Sequence, residues 1–261
     1  MDIQLIKKIK DKKTLSNIDD SFVEKFILLI LKQNSKLEAK YKKNLLKERD
    51  REQIVKSVRN ELNKRYGQFW EKTVDNKNEL NLELHSSTRE RERIYQDVYE
   101  KIFEITGKPK KILDLGAGLN VLSYDLIGKN VYYYVNELTE KDCEIISEYL
   151  KNNKYKFEII KGDVTKDIKL PETDVCFLFK LLDSIDVKDH KTSEELIKKI
   201  KARYLVISFS NLSIRGAREM NHPQRGWIER LLERLDYKYT KIEYTEETFY
   251  VVDKTRQSSD H

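Results

Sequence analysis

From Ile112 to Val252 the chain alternates short β-branched and aromatic runs with segments of helical periodicity, which admits few architectures. Strand-like runs fall at 111–114, 131–136, 156–160, 174–179 and 203–209, and helical patterns near 119–127, 140–151, 192–200 and 223–235. Two closing strand-like runs, 237–243 and 247–252, are spaced for an antiparallel hairpin. Alternating β/α units with a terminal hairpin predict an α/β fold: a Rossmann-like, seven-stranded, mostly parallel sheet with helices on both faces.

The first strand hands over to a glycine turn in Ile112-Leu113-Asp114-Leu115-Gly116-Ala117-Gly118-Leu119-Asn120. Gly116 and Gly118 let the chain turn tightly and let a ligand approach the backbone. Position 121 is Val, where the dinucleotide fingerprint has its third glycine. The expected cofactor is therefore one without a pyrophosphate, and S-adenosylmethionine fits. Glu137 lies 23 positions beyond Asp114, at the end of the second strand, where a carboxylate can accept both ribose hydroxyls. Asp163 closes the third strand, placed to accept the adenine amino group. Asp114 can order the glycine loop or bind the ammonium group of methionine. Phe179 and Lys180 end the fourth strand, which in this fold faces the transferable methyl group; a lysine snorkelling from the core edge would read the same way. No Asn/Asp-Pro-Pro-Tyr string occurs there, which counts against transfer to an exocyclic amine, and no cysteine is placed to attack cytosine C5.

Charge divides the chain. Residues 1–80 hold 20 Lys/Arg against 13 Asp/Glu, a net of +7, whereas residues 81–261 hold 31 against 32, a net of −1. The first third reads as helix throughout, so the expected organisation is an all-α bundle over 1–80 and a catalytic domain over 81–261. The Asp75–Glu83 stretch is the hinge candidate, and a helix over 85–106 leads into the second domain. The basic excess is either a footprint for a polyanion or a solvated lysine-rich surface. Read as a footprint for RNA, its candidates are Lys36, Lys40, Lys42, Lys43, Lys47, Arg51 and Arg59. Removing residues 1–75 is then expected to abolish RNA affinity and spare cofactor binding. The two cysteines, Cys143 and Cys176, have no metal-ligand spacing, so no metal is expected. No run reaches the roughly 18 apolar residues of a membrane span and no signal peptide opens the chain, so a cytoplasmic monomer is expected.

Four strings together carry a resemblance: His85-Ser86-Ser87-Thr88-x-Glu90-Arg91, Ile112 to Asn120, Phe177-Leu178-x-Lys180 and Val206-Ile207-Ser208-Phe209. The chain resembles the aminoglycoside-resistance 16S rRNA (guanine-N7) methyltransferases, the Arm/Rmt group, as a divergent member. The resemblance implies methyl transfer from S-adenosylmethionine to N7 of a guanine in the decoding region of 16S rRNA, with the small ribosomal subunit as partner. It implies that Arg91 holds the cofactor carboxylate and that Asp114, Gly116, Ala117, Gly118, Glu137, Leu138, Asp163, Val164 and Phe179 surround the cofactor. Lys180 would stand at the reaction centre, with Arg215 and Arg218 clamping the target nucleotide. The segment Ser213–Met220 is one residue shorter than the family's pattern and lacks its second glycine, and Ala117 stands where a cysteine is common. Another RNA target, or an RNA-binding assembly factor with little turnover, stays open beside this reading.

Overall fold

The computed structural model describes residues 2–12, 15–16, 18–62, 94–128, 130–186, 190–211 and 226–255. Four helices come first: α1 (Ile3–Lys10), α2 (Asp20–Lys32), α3 (Ser35–Lys42) and α4 (Glu48–Leu62). The side chain of Asp2 caps α1 by accepting from the Leu5 N–H at 3.1 Å, and Asn34 caps α3 by accepting from Leu37 at 3.2 Å. The helices enclose a core of their own, with Leu5, Ile9, Val23, Ile27, Ile54, Val58 and Leu62 fully buried. The helical reading of the first third is interrupted after Lys42. Asn44 adopts a left-handed φ of 57°, which asparagine tolerates better than most residues, and the Asp50 carboxylate then accepts from the Lys47 N–H at 3.0 Å to restart the helix. The expected domain boundary near residue 80 and the hinge at 75–83 lie outside the described residues.

The second part begins with α5 (Tyr95–Thr106) and β1 (Lys111–Leu115). A 3₁₀ segment (Gly118–Ser123), α6 (Tyr124–Ile127), β2 (Tyr132–Glu137), α7 (Glu140–Asn152), β3 (Lys156–Lys161) and β4 (Thr173–Phe179) follow. The chain continues through α8 (Leu182–Ile185), α9 (Lys191–Lys199), β5 (Ala202–Ser210), α10 (Gly226–Arg234), β6 (Lys238–Glu243) and β7 (Glu247–Asp253). The seven strands form one sheet in the order β3-β2-β1-β4-β5-β7-β6. Strands β1 to β5 are mutually parallel, and β7 runs antiparallel between β5 and β6. This is the α/β, Rossmann-like architecture that the alternation predicts. The expected helix at 119–127 is instead a 3₁₀ turn followed by one α-helical turn, and of the expected 85–106 helix the part before Ile94 lies outside the described residues.

Strand alternation sorts side chains to two apolar layers. Ile112, Tyr133, Val135, Val175, Phe177 and Val206 face one layer, where Tyr99 and Ile102 of α5 and Ile146 and Leu150 of α7 cover them. Leu113, Leu115, Cys176, Leu178, Leu205 and Ile207 face the other, beneath Leu196 and Ile197 of α9 and Leu231 and Leu232 of α10. The strand order reverses beside β1: the chain proceeds outward to β2 and β3, then crosses back to β4 on the other side. The carboxyl ends of β1 and β4 therefore splay into a crevice, the place where open α/β sheets bind ligands. Among the described residues no helix is long and apolar enough to cross a membrane.

Candidate functional site

The crevice is built around the last two residues of β2. The backbone carbonyl of Asn136 accepts from the Gly116 N–H at 3.1 Å and the Ala117 N–H at 3.3 Å. Its side-chain amide donates to the carbonyls of Ile160 at 2.8 Å and Gly162 at 3.0 Å. Glu137 repeats the pattern: its carboxylate accepts from the Gly118 N–H at 2.5 Å and the Leu138 N–H at 3.3 Å, and its backbone carbonyl accepts from the Gly162 N–H at 2.9 Å. One dipeptide thus ties the loop after β1 to the loop after β3. Sequence reasoning identified Glu137 and missed Asn136; the signal was a buried amide ending an otherwise apolar strand.

Gly116 and Gly118 have φ of 62° and 54°, conformations that a side chain strains, and a Cβ on Gly116 would meet the Leu181 side chain at 3.0 Å. Asp114 has two expected roles, and its bonds carry the ordering of the loop. Its Oδ2 accepts from the Asn120 amide at 2.7 Å and from the Tyr133 hydroxyl. Asn120 in turn accepts from the Tyr95 hydroxyl at 2.9 Å, which connects the start of α5 to the glycine loop.

Burial and then the nearby Asp142 carboxylate push the Glu137 carboxyl up to about 8, against the opposing pull of the two N–H donors. Burial, followed by the charge of Glu137, pushes the Cys143 thiol up to about 12, so it is no poised nucleophile. Among the described residues no group of three or more His, Cys, Asp or Glu side chains could hold a metal ion.

Asp163 follows β3. Its Oδ1 accepts from the Thr165 N–H at 2.9 Å and hydroxyl at 2.7 Å, while Oδ2 is buried with no hydrogen-bond partner. A buried acceptor oxygen without a donor is costly. Val164 and Phe179 are buried, and the Phe179 ring stacks on Phe177 at 4.7 Å.

Lys180 takes a left-handed φ of 55° as the chain leaves β4. Its N–H donates to the Ser208 carbonyl and hydroxyl, each at 3.1 Å. Its ammonium lies 3.1 Å from the carboxylate of Glu247, which is fully buried and accepts from the Ser208 hydroxyl at 2.5 Å. Sequence reasoning did not find Glu247; the signal was a glutamate opening a strand that lies between β5 and β6. Arg91, Arg215 and Arg218 lie outside the described residues, as do the strings 85–91 and 213–220.

The seven basic candidates of the helical region divide. Lys36, Lys43 and Lys47 are exposed. Lys40 pairs with Asp50 at 2.8 Å, Lys42 with Glu38 at 2.7 Å and Arg51 with Asp2 at 3.0 Å. Arg59 donates to the carbonyls of Lys8 and Ile9. Lys8, Lys12, Lys56 and Arg59 also line a groove of about 430 Å³ between α1 and α4, a basic surface the reading of the sequence did not single out.

Residues 55–251 match the family described as ribosomal RNA methyltransferase (FmrO). A 16S rRNA (guanine(1405)-N(7))-methyltransferase of Proteus mirabilis is 32% identical over 152 residues, covering 56% of this chain and 53% of that protein. The chain thus spans about half the length of this curated relative, and under two thirds of two others that carry the same description. The solved structure of the 16S rRNA methyltransferase RmtF in complex with S-adenosyl-L-homocysteine superposes with a TM-score of 0.73 at 18% identity, covering 98% of this chain and 100% of that one. The 16S rRNA methylase RmtB gives 0.70 at 16% identity, covering 97% of this chain and 98% of that one. At those identities the likeness shows the fold.

Two consequences of the geometry are measurable. A Glu137 carboxyl raised from 4.5 to about 8 binds a proton in the folded state that the unfolded chain releases. Its contribution to stability therefore falls as pH rises across that window, and the loss is complete above it. Glu137→Gln is expected to flatten this slope in thermal unfolding followed from pH 5 to pH 9; an unchanged slope would contradict the assignment. Glu247→Gln removes the carboxylate paired with Lys180 in a mostly buried site and is expected to cost about 3–5 kcal/mol in denaturant unfolding. Adding Lys180→Met to it should recover most of that loss.

Proposed function

The chain belongs to the ribosomal RNA methyltransferase (FmrO) family, and from that membership we propose that it transfers the methyl group of S-adenosylmethionine to N7 of a guanine in 16S rRNA of the small subunit. The observation that carries the reading is the paired acids at the ends of β2 and β3. Glu137 is a buried carboxylate at the ribose position, and Asp163 keeps a buried oxygen without a donor at the adenine position. Such a set suits a neutral adenosine with two ribose hydroxyls and an amino group. Ala117, Leu138, Val164 and Phe179 would supply the apolar walls, and Arg91 would take the carboxylate of the methionine moiety.

When bound, the cofactor supplies an electrophilic methyl group on a cationic sulfur. Guanine N7 carries a lone pair and no proton, so the protein needs no general base and has only to aim the base and exclude water. Orientation of this kind is worth roughly 7–11 kcal/mol. Lys180 is the donor at the strand end, and O6 beside N7 is the acceptor it would hold. Methylation leaves positive charge on the guanine, which a lone ammonium would oppose. The Glu247 carboxylate 3.1 Å away balances the lysine and keeps it a hydrogen-bond donor without net charge at the site. Arg215 and Arg218 would clamp the nucleotide, which has to leave its stack to enter.

The shortened Ser213–Met220 segment favours one second reading, the same chemistry on a different RNA base. Purified protein with methyl-labelled S-adenosylmethionine is expected to label small subunits, and cleavage at N7-methylguanine should map the label to one guanine of 16S rRNA. Label on another base would select the second reading. No label on small subunits, free rRNA or total RNA would overturn both. Lys180→Gln should lower kcat by about 100-fold with little change in the KM for the cofactor.

A further inference from the structure

The helical region is not a separate appendage in this fold. Helix α2 lies against the loop that follows β3, and Lys25 reaches into it. The Lys25 ammonium donates to the Thr165 hydroxyl at 2.9 Å and stands 4.0 Å from Asp163 Oδ2. A second bond joins the same partners one helical turn earlier, where Lys166 donates to the Ser21 hydroxyl at 2.9 Å. Around these polar links Phe22, Phe26 and Leu29 of α2 close over Thr165, Ser184 and Ile185, leaving a void of only about 30 Å³. The Thr165 hydroxyl that accepts from Lys25 itself donates to Asp163 Oδ1 at 2.7 Å. Lys25, Thr165 and Asp163 therefore form one chain of contacts, and Asp163 is 8% exposed at its end.

We propose that Lys25 is a positioning residue of the adenine subsite: it holds the 163–166 loop, and with it the Asp163 carboxylate, in the orientation that accepts the adenine amino group. The inference rests on the reading of Asp163 as the adenine acceptor. Its physical content is twofold. The ammonium places a positive charge 4.0 Å from Oδ2 at a site with little solvent. The hydrogen bond to Thr165 fixes the hydroxyl that braces the other carboxylate oxygen, so Oδ2 is left to the ligand. A cofactor contact is thereby assigned to a residue of the helical bundle, 138 positions before the acid it serves. This replaces the expectation that removing residues 1–75 spares cofactor binding, because the truncated chain would lack Lys25 and expose the loop it covers.

The test uses the full chain and two probes, S-adenosylhomocysteine and its 6-oxo counterpart S-inosylhomocysteine, which lacks the amino group. Calorimetry on Lys25→Met is expected to show about tenfold weaker binding of S-adenosylhomocysteine, the scale of one charged hydrogen bond, with smaller change for the inosyl probe. Preference for adenine over hypoxanthine should fall accordingly, a readout that general loosening of the fold would not move. Lys25→Arg should restore both affinity and preference to within about threefold. Asp163→Asn should weaken S-adenosylhomocysteine and erase the preference, and the double variant should be no worse than Asp163→Asn alone. If Asp163→Asn erases the preference while Lys25→Met leaves it intact, the positioning role is wrong and the adenine assignment stands. If Asp163→Asn leaves the preference intact, the adenine assignment fails and the role of Lys25 fails with it.

Discussion

Everything in the crevice hangs on two adjacent residues at the end of β2. Asn136 and Glu137 together make five backbone-accepting or amide-donating links to the chain on either side, and the Glu137 carboxylate adds the 2.5 Å contact to the Gly118 N–H. A carboxylate in that position has lost its water and gained two N–H donors. Burial and the neighbouring Asp142 win that contest, so the acid is held in its protonated form to about 8. The group that braces the glycine loop is thus a titrating acid and not a fixed charge.

The same economy governs the charged residues around it. Lys180 is balanced by Glu247, which suits a reaction that deposits positive charge on its acceptor. In the bundle, Lys40, Arg51 and Arg59 spend their charges or donors within the fold, while Lys36, Lys43 and Lys47 face solvent. A net charge of +7 over residues 1–80 is therefore in part a structural feature, and only some of it is free to meet phosphate. Through Lys25 the bundle also touches the loop after β3 that carries Asp163.

Much of this was legible in the residues. All seven strands lie within two residues of where periodicity and β-branched content put them, because each is a buried run bounded by polar turns. Gly116, Gly118, Glu137 and Asp163 could be read from spacing alone, since a strand end and a loop are local features. The contacts that escaped were nonlocal. Glu247 meets Lys180 only because β7 inserts antiparallel between β5 and β6, and Lys25 meets Thr165 only because α2 packs against the loop after β3. The break after Lys42 escaped for another reason: one asparagine in a left-handed conformation overrides helical periodicity on both sides.

The central claim is the proposal that Glu137, whose carboxyl burial raises to about 8, accepts the ribose hydroxyls of the cofactor, which would favour its ionised form. The direct measurement is proton release on binding, from calorimetric titration of S-adenosylhomocysteine at pH 7 in phosphate and in Tris, which differ in ionisation enthalpy. The account predicts a buffer-dependent enthalpy corresponding to release of up to one proton, lost at pH 9.5 and lost in Glu137→Gln. The same binding enthalpy in both buffers at pH 7 would contradict it.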